Sequence, residues 1–260
     1  MTEKPKLIFK YRALSSRTDI SRFYDIIKNN RLYLPTVLQV NDPFEGKIDI
    51  STGVAGSWYS RITEKDPEIV KNCKERLRLL SLSEDGFSPQ LWAYYCHNYS
   101  GICLCYTTDR TFSTIRRVCY PAVIEEGETV VLSPCEEQIY RMITERLFVK
   151  QMGWQYEREW RRVFQPPCTS AEDEETRGEE YLVYQPDELA CVIIGNKLEN
   201  DMKEIIRILV PERIKIFEVY TGAVSGKVKL KEYGYQYPGD GSAPDFITSA
   251  EELYNRLFTQ

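Results

Sequence analysis

The chain has 260 residues, a formal charge of −5, 42% hydrophobic residues and 28% charged residues. That composition supplies a large core and excludes wholesale disorder, while the acidic balance removes the electrostatic case for a nucleic-acid backbone as default partner. A single histidine, His97, beside eight cysteines excludes the usual zinc ligand spacings and makes a Ser-His-Asp triad improbable.

Apolar runs such as Ala190 to Ile194 fall far short of the roughly 18 residues that cross a bilayer. The segment Met1 to Lys6 has no apolar stretch of the signal-peptide kind, so the expectation is a cytoplasmic protein, with no membrane partner and with all eight cysteines reduced.

Leu7 to Arg12 alternates as a strand does. Thr18 or Asp19 then caps a helix with Ile20, Phe23, Tyr24 and Ile27 on one face, ended by Asn29-Asn30. Leu32 to Leu34 reads as a short strand, and Asn41-Asp42-Pro43-Phe44-Glu45-Gly46 as a turn with acids at its tip. Asp66-Pro67-Glu68 opens a helix bearing Ile69, Cys73, Leu77 and Leu80, and Leu80 to Glu84 then reads as a strand with Ser81 and Ser83 opposite the leucines. Pro89 to Cys96 is a short aromatic helix and Gly101 to Tyr106 a buried strand.

Ser133-Pro134-Cys135-Glu136 is a capping box for a helix with Ile139, Ile143 and Leu147 inside, ending near Gln151. Trp154 to Phe164 reads as one strand, followed by an acidic loop at about 165–180 that is expected to be flexible. Strands at Ala190–Ile194, Ile214–Tyr220 and Val228–Tyr233, a helix at Asn200–Leu209 and a closing helix after Thr248 complete a single α+β domain, 1–260. Its sheet is expected to be mixed or split, mostly antiparallel, and flanked by helices.

The densest chemistry lies between Lys150 and Arg162. Strand alternation would place Glu157 and Glu159 on one face, whereas a helix would put them about 200° apart, so the strand reading is what makes a carboxylate pair. Lys10-Tyr11-Arg12 offers cations suited to a phosphate, and Trp92 and Tyr95 offer aromatic walls.

Lys10-Tyr11-Arg12, Asn41-Asp42-Pro43-Phe44-Glu45, Ser81-Leu82-Ser83-Glu84, Leu91-Trp92-x-x-Tyr95 with Gly101-Ile102-Cys103, and Trp154-x-Tyr156-Glu157-x-Glu159-Trp160-Arg161 together resemble the bacterial domain-of-unknown-function family 2971. The order of a first-strand Arg, a Ser-x-Ser strand and a Glu-x-Glu strand is also similar to that of ADP-ribosyltransferases. That resemblance implies an ADP-ribosyltransferase-like fold and a transferase or NAD glycohydrolase, of the defence or toxin effector kind, using NAD as substrate and no metal. By the same resemblance Glu159 is the catalytic acid and Glu157 positions the acceptor, a protein or nucleic acid. Arg12 and Tyr11 would hold the dinucleotide, Ser81 and Ser83 would brace the site, and Trp92 or Tyr95 would stack nicotinamide.

Two alternatives stand beside this reading. One is a magnesium-dependent phosphodiesterase or nuclease with Asp42, Glu45, Glu84 and Glu159 as oxygen ligands. The other is a non-catalytic domain that binds a nucleotide or a protein.

Overall fold

The computed structural model describes residues 3–48, 50–51, 68–124, 129–130, 135–165, 180–222, 226–234 and 245–259. The acidic loop expected at about 165–180 and the proposed starts of two helices at Asp66-Pro67 and Ser133-Pro134 lie outside the described residues.

The strand β1 (Leu7–Arg12) leads into helix α1 (Arg17–Asn29). Ser16 caps α1 by accepting from the Asp19 backbone N–H while the Asp19 carboxylate accepts from the Ser16 backbone N–H. The cap is thus two residues earlier than the first candidate, Thr18, because Ser16 and Asp19 satisfy two orphan N–H groups reciprocally. Asn30 ends α1 in the left-handed region at φ 49°, as a short polar side chain permits. Then come β2 (Arg31–Tyr33), β3 (Ile50–Ser51), α2 (Glu68–Arg76), β4 (Arg78–Ser83), α3 (Pro89–Tyr94), β5 (Ile102–Thr107), β6 (Arg116–Arg117), β7 (Thr129–Val130) and α4 (Glu136–Arg146). Leu80, expected on the face of α2, lies instead in β4, because that helix stops at Arg76.

After α4 the chain departs from the expected single strand. Met152–Glu157 forms a 3₁₀ helix, Arg158 turns through the left-handed region at φ 45°, and only Glu159–Phe164 forms strand β8. Alternation is overridden here by polar contacts, since Lys150 binds the carboxylates at both ends of the turn. The rest is β9 (Tyr181–Val183), β10 (Leu189–Ile194), α5 (Asn200–Leu209), β11 (Lys215–Thr221), β12 (Val228–Glu232) and α6 (Ala250–Phe258).

Eight strands form one mixed, mostly antiparallel sheet in the order β12-β11-β10-β5-β1-β4-β8-β6. Its parallel pair, β10 with β11, is joined through α5, as a crossover requires. One sheet face carries Ile8, Leu80, Leu82, Leu104 and Trp160 against Phe23 and Ile26 of α1 and Ile206 of α5. The other face carries two separate apolar clusters. Leu7, Phe9 and Cys103 pack with Trp92 of α3 and Leu253 of α6, while Leu79 packs with Cys73 of α2 and Ile139 and Ile143 of α4.

Between those two clusters the sheet opens. The β1–β5 ladder runs through six register pairs, Leu7 with Thr107 to Arg12 with Ile102, and β4–β8 also has six. By contrast, β1 and β4 pair only at Phe9 with Ser83. A split seam in the middle of a sheet leaves backbone polar groups in search of partners, and it is here that the buried Glu45, Lys150, Glu157, Glu159 and Arg161 collect.

Among the described residues no helix is long and apolar enough to cross a membrane. The seven described cysteines are all free thiols.

Candidate active site

Register explains how the site is assembled. Ser83 lies opposite Glu159 and Ser81 opposite Arg161, and since Phe9 lies opposite Ser83 all of these residues belong to the face that carries the two separate clusters. The resulting cleft, about 280 Å³, is lined by Lys10, Tyr11, Ser81, Ser83, Tyr95, Glu157 and Glu159, and by Asn41, Glu45, Lys150 and Arg161 from more distant segments. That volume suits a small ligand or one end of a larger one.

Two cations organise three carboxylates. The Lys150 ammonium stands 2.6 Å from Glu157 Oε2, 3.2 Å from Glu45 Oε1 and 3.3 Å from Glu159 Oε2. Arg161, only 1% exposed, donates from Nε and Nη2 to the two oxygens of Glu159 at 2.6 Å each, from Nη2 to Glu45 Oε1 at 2.5 Å, and from Nη1 to the Leu147 carbonyl at 2.7 Å. Such a buried set persists because each charge is both paired and hydrogen-bonded. Burial alone would lower the Arg161 and Lys150 pKa values, yet the carboxylates, Glu159 foremost, hold both above their ordinary range.

The two sequence-predicted carboxylates have opposite surroundings. Burial raises Glu159, but Arg161 and then Lys150, with hydrogen bonds from Arg161, bring its pKa down to about 2. Burial and the neighbouring Glu159 charge raise Glu157, and Lys150 and the Tyr95 hydroxyl only partly offset this. Tyr95 donates a very short hydrogen bond to Glu157 Oε1 and accepts from Asn41 Nδ2 at 3.0 Å. The Tyr95 pKa is correspondingly raised, by burial first and Glu157 second.

An ionised carboxylate has about four lone-pair sites. Glu159 fills three of them, one on Oε1 and two on Oε2, with Arg161 twice and Lys150 once. Glu157 uses one on each oxygen, for Tyr95 and Lys150. Glu45 is 8% exposed, and its Oε2 has no hydrogen-bond partner among the described residues. Unused acceptor capacity for a ligand hydroxyl is therefore greater on Glu157 and on Glu45 Oε2 than on Glu159.

Not every sequence-predicted residue reaches the cleft. Arg12 belongs with Ile8 on the α1 side by strand alternation, and its electrostatic neighbours are Tyr106, Arg22 and Asp19. It is not among the lining residues, so the phosphate role expected for it is not supported by its position. Trp92 is fully buried; its indole Nε1 donates to the Gly86 carbonyl at 3.2 Å, and its ring packs edge-on against Tyr11 at 5.4 Å. It is a core residue supporting Tyr11, not a stacking wall, because the short helix α3 turns Leu91 and Trp92 inward. Tyr11 does line the cleft, with its hydroxyl donated to the Asp85 carbonyl at 2.8 Å. The Ser83 hydroxyl is committed to the Glu157 carbonyl at 2.7 Å, so Ser83 braces the Glu157 backbone.

The four proposed magnesium ligands do not converge. Asp42 Oδ1 accepts from the Phe44 N–H at 2.9 Å, closing the turn that presents Glu45. Glu84 binds Arg158 Nε and Trp160 Nε1, each at 2.8 Å, outside the cleft lining. The place among Glu45, Glu157 and Glu159 where a cation belongs is taken by the Lys150 ammonium.

Sequence reasoning missed Lys150 as the organising cation, Lys10 as a cleft amine and Asn41 as the partner of Tyr95. Comparisons with known protein families, curated proteins and solved structures found no match.

Proposed function

We propose that the chain is an NAD-cleaving enzyme, a glycohydrolase or ADP-ribosyltransferase with an ADP-ribosyltransferase-like split sheet, in which Glu157 is the catalytic carboxylate. The observation that carries this reading is the division of labour between Glu157 and Glu159. One carboxylate accepts three bonds from two cations and is firmly ionised, the other accepts two and has a raised pKa, and both hold one ammonium at the seam of the sheet. Environments that drive two neighbouring carboxylates apart assign them different roles.

Loss of nicotinamide from NAD breaks the bond between the ribose anomeric carbon and the pyridinium nitrogen, and the electron pair leaves with a neutral nicotinamide. No proton donor is needed for that departure; what is needed is negative charge beside the ribosyl cation as it forms. Glu157 supplies it by accepting a hydrogen bond from a ribose hydroxyl. Glu159 acts as a positioning residue that fixes Lys150 and Arg161, and the roles implied by the resemblance are thereby exchanged. Water, or a hydroxyl or amine of a protein or nucleic acid, then forms the new bond to the anomeric carbon and releases one proton to solvent.

The test is nicotinamide release from NAD, followed by chromatography. Glu157→Gln is expected to slow release by roughly 10²–10³ with the urea midpoint unchanged. Wild-type rates should rise with pH through a midpoint above the ordinary carboxylate value, and the variant should lose that limb, since Glu157 acts ionised and its pKa is raised. Wild-type protein that releases no nicotinamide, or a variant as fast as wild type, would sink the proposal.

A further inference from the structure

Three cations line the cleft, and two of them, Lys150 and Arg161, are bound to carboxylates. Lys10 differs. It reaches across the open β1–β4 seam and donates to the Ser81 backbone carbonyl at 2.7 Å. Among the described residues no carboxylate oxygen lies within the 4.0 Å of an ion pair with its Nζ. An amine with one hydrogen bond, no counter-ion and access to a cleft is the arrangement of a nucleophile.

Its charged surroundings point the same way. Burial lowers the Lys10 pKa first and the Arg12 guanidinium of its own strand second; from β8, Glu159 raises it and Arg161 lowers it, leaving a value of about 7. The remaining cleft charges, Glu45, Glu157 and Lys150, are engaged with one another.

We infer that Lys10 captures the carbonyl carbon of an aldose entering the cleft and holds it as an imine. The amine matches the aldehyde, and the unused acceptor sites on Glu157 and Glu45 Oε2 match the hydroxyls of the same molecule. In the step the Lys10 nitrogen attacks the carbonyl carbon, a carbon–nitrogen bond forms, the carbon–oxygen bond breaks, and the oxygen leaves as water with both amine protons. This inference rests on the amine and the free acceptors, and it stands whether or not the cleft cleaves NAD.

The experiment is reductive trapping of the wild-type chain with free ribose and cyanoborohydride, with no NAD present. Hydride reduces the imine to a secondary amine, adding the mass of the sugar less one oxygen, and peptide mapping locates it. The expected result at pH 7 is modification of Lys10 faster than of the exposed Lys28 by on the order of tenfold, with a rate rising through a midpoint near 7. Lys10→Arg should abolish the fast adduct. If that variant fails to fold, the site and pH profile of the wild-type adduct decide alone. Adducts spread over surface lysines, or Lys10 slower than Lys28, overturn the inference. Ribose capture without nicotinamide release would overturn the NAD reading and leave this one standing.

Discussion

Strand β1 has two neighbours and treats them differently. Towards β5 it is paired along its whole length, and the side chains around that ladder, Ile8, Phe9, Cys103, Leu104 and Cys105, are buried and apolar or thiol-bearing. Towards β4 it pairs once, and the side chains around the gap are Lys10, Tyr11, Ser81, Glu157, Glu159 and Arg161. The closed seam spends its residues on packing. At the open seam a strand carbonyl binds a side chain instead, as Ser81 does with Lys10, and the Ser83 hydroxyl reaches out to the Glu157 carbonyl of the neighbouring turn. Chemistry gathers where a sheet forgoes its own hydrogen bonds.

The sharpest way to break this contrast is Arg161→Met. It leaves Glu159 and Glu45 buried beside Lys150 alone, and a loss of about 3–5 kcal/mol in urea unfolding is expected. A loss below about 1 kcal/mol would mean the cleft charges do not hold the open seam. On the closed seam, Leu104→Ala is expected to cost about 2–5 kcal/mol through a cavity, while nicotinamide release by the folded fraction stays at the wild-type rate. Should release fall as far as in Glu157→Gln, the two seams are not separable.

Acid titration sharpens the comparison further. The folded-state pKa of Glu159 lies near 2, below its ordinary 4.5, so the stability it contributes is complete above about 4.5 and is lost as pH falls towards 2. Unfolding midpoints measured across that window should fall steeply in wild type and more gently in Arg161→Met. Equal slopes would count against the pairing. The smallest effect belongs to the rim. Arg158 binds Glu84 at 2.8 Å but is 53% exposed, so Arg158→Gln should cost no more than about 1 kcal/mol, and added salt should erase the difference.

Much of the fold was legible because periodicity reports burial. β1, β5 and β10 declared themselves by short apolar stretches, and α1 and α5 by apolar residues at helical spacing with polar ones between. Met152–Glu157 misled because its alternation of aromatic and polar residues mimics a strand, whereas the ring of Trp154 packs under the Lys150 ammonium at 4.7 Å and the segment coils. The carboxylate pair was visible for a reason that turned out to be incidental: Glu157 and Glu159 meet through Lys150, not through a shared strand face. Lys150 itself carried only a faint signal, a lone cation after the apolar pair Phe148-Val149. Its partners Glu45 and Glu159 lie far apart in sequence, and no local pattern encodes that meeting. Arg12 was misplaced because it shares a strand face with Lys10, and only Lys10 stands where it can reach across the open seam, a difference that a tripeptide does not reveal.

The ladder order also governs how the chain finds this structure. β10, β11 and β12 follow one another in sequence, with α5 between the first two, and are neighbours in the sheet, so their contacts close short loops. β1 has no such neighbour: Lys10 pairs with Leu104, roughly ninety residues onward, and Phe9 with Ser83. Loop-closure entropy and contact order favour early assembly of the carboxyl-terminal strands and late insertion of β1 between β5 and β4. Pulse-labelling hydrogen exchange during refolding should therefore protect the amides of β11 before those of β1. A strand that docks last, held on one side by a single pair, leaves the cleft as the final feature to be completed, so a partly folded chain has yet to bring its charges together.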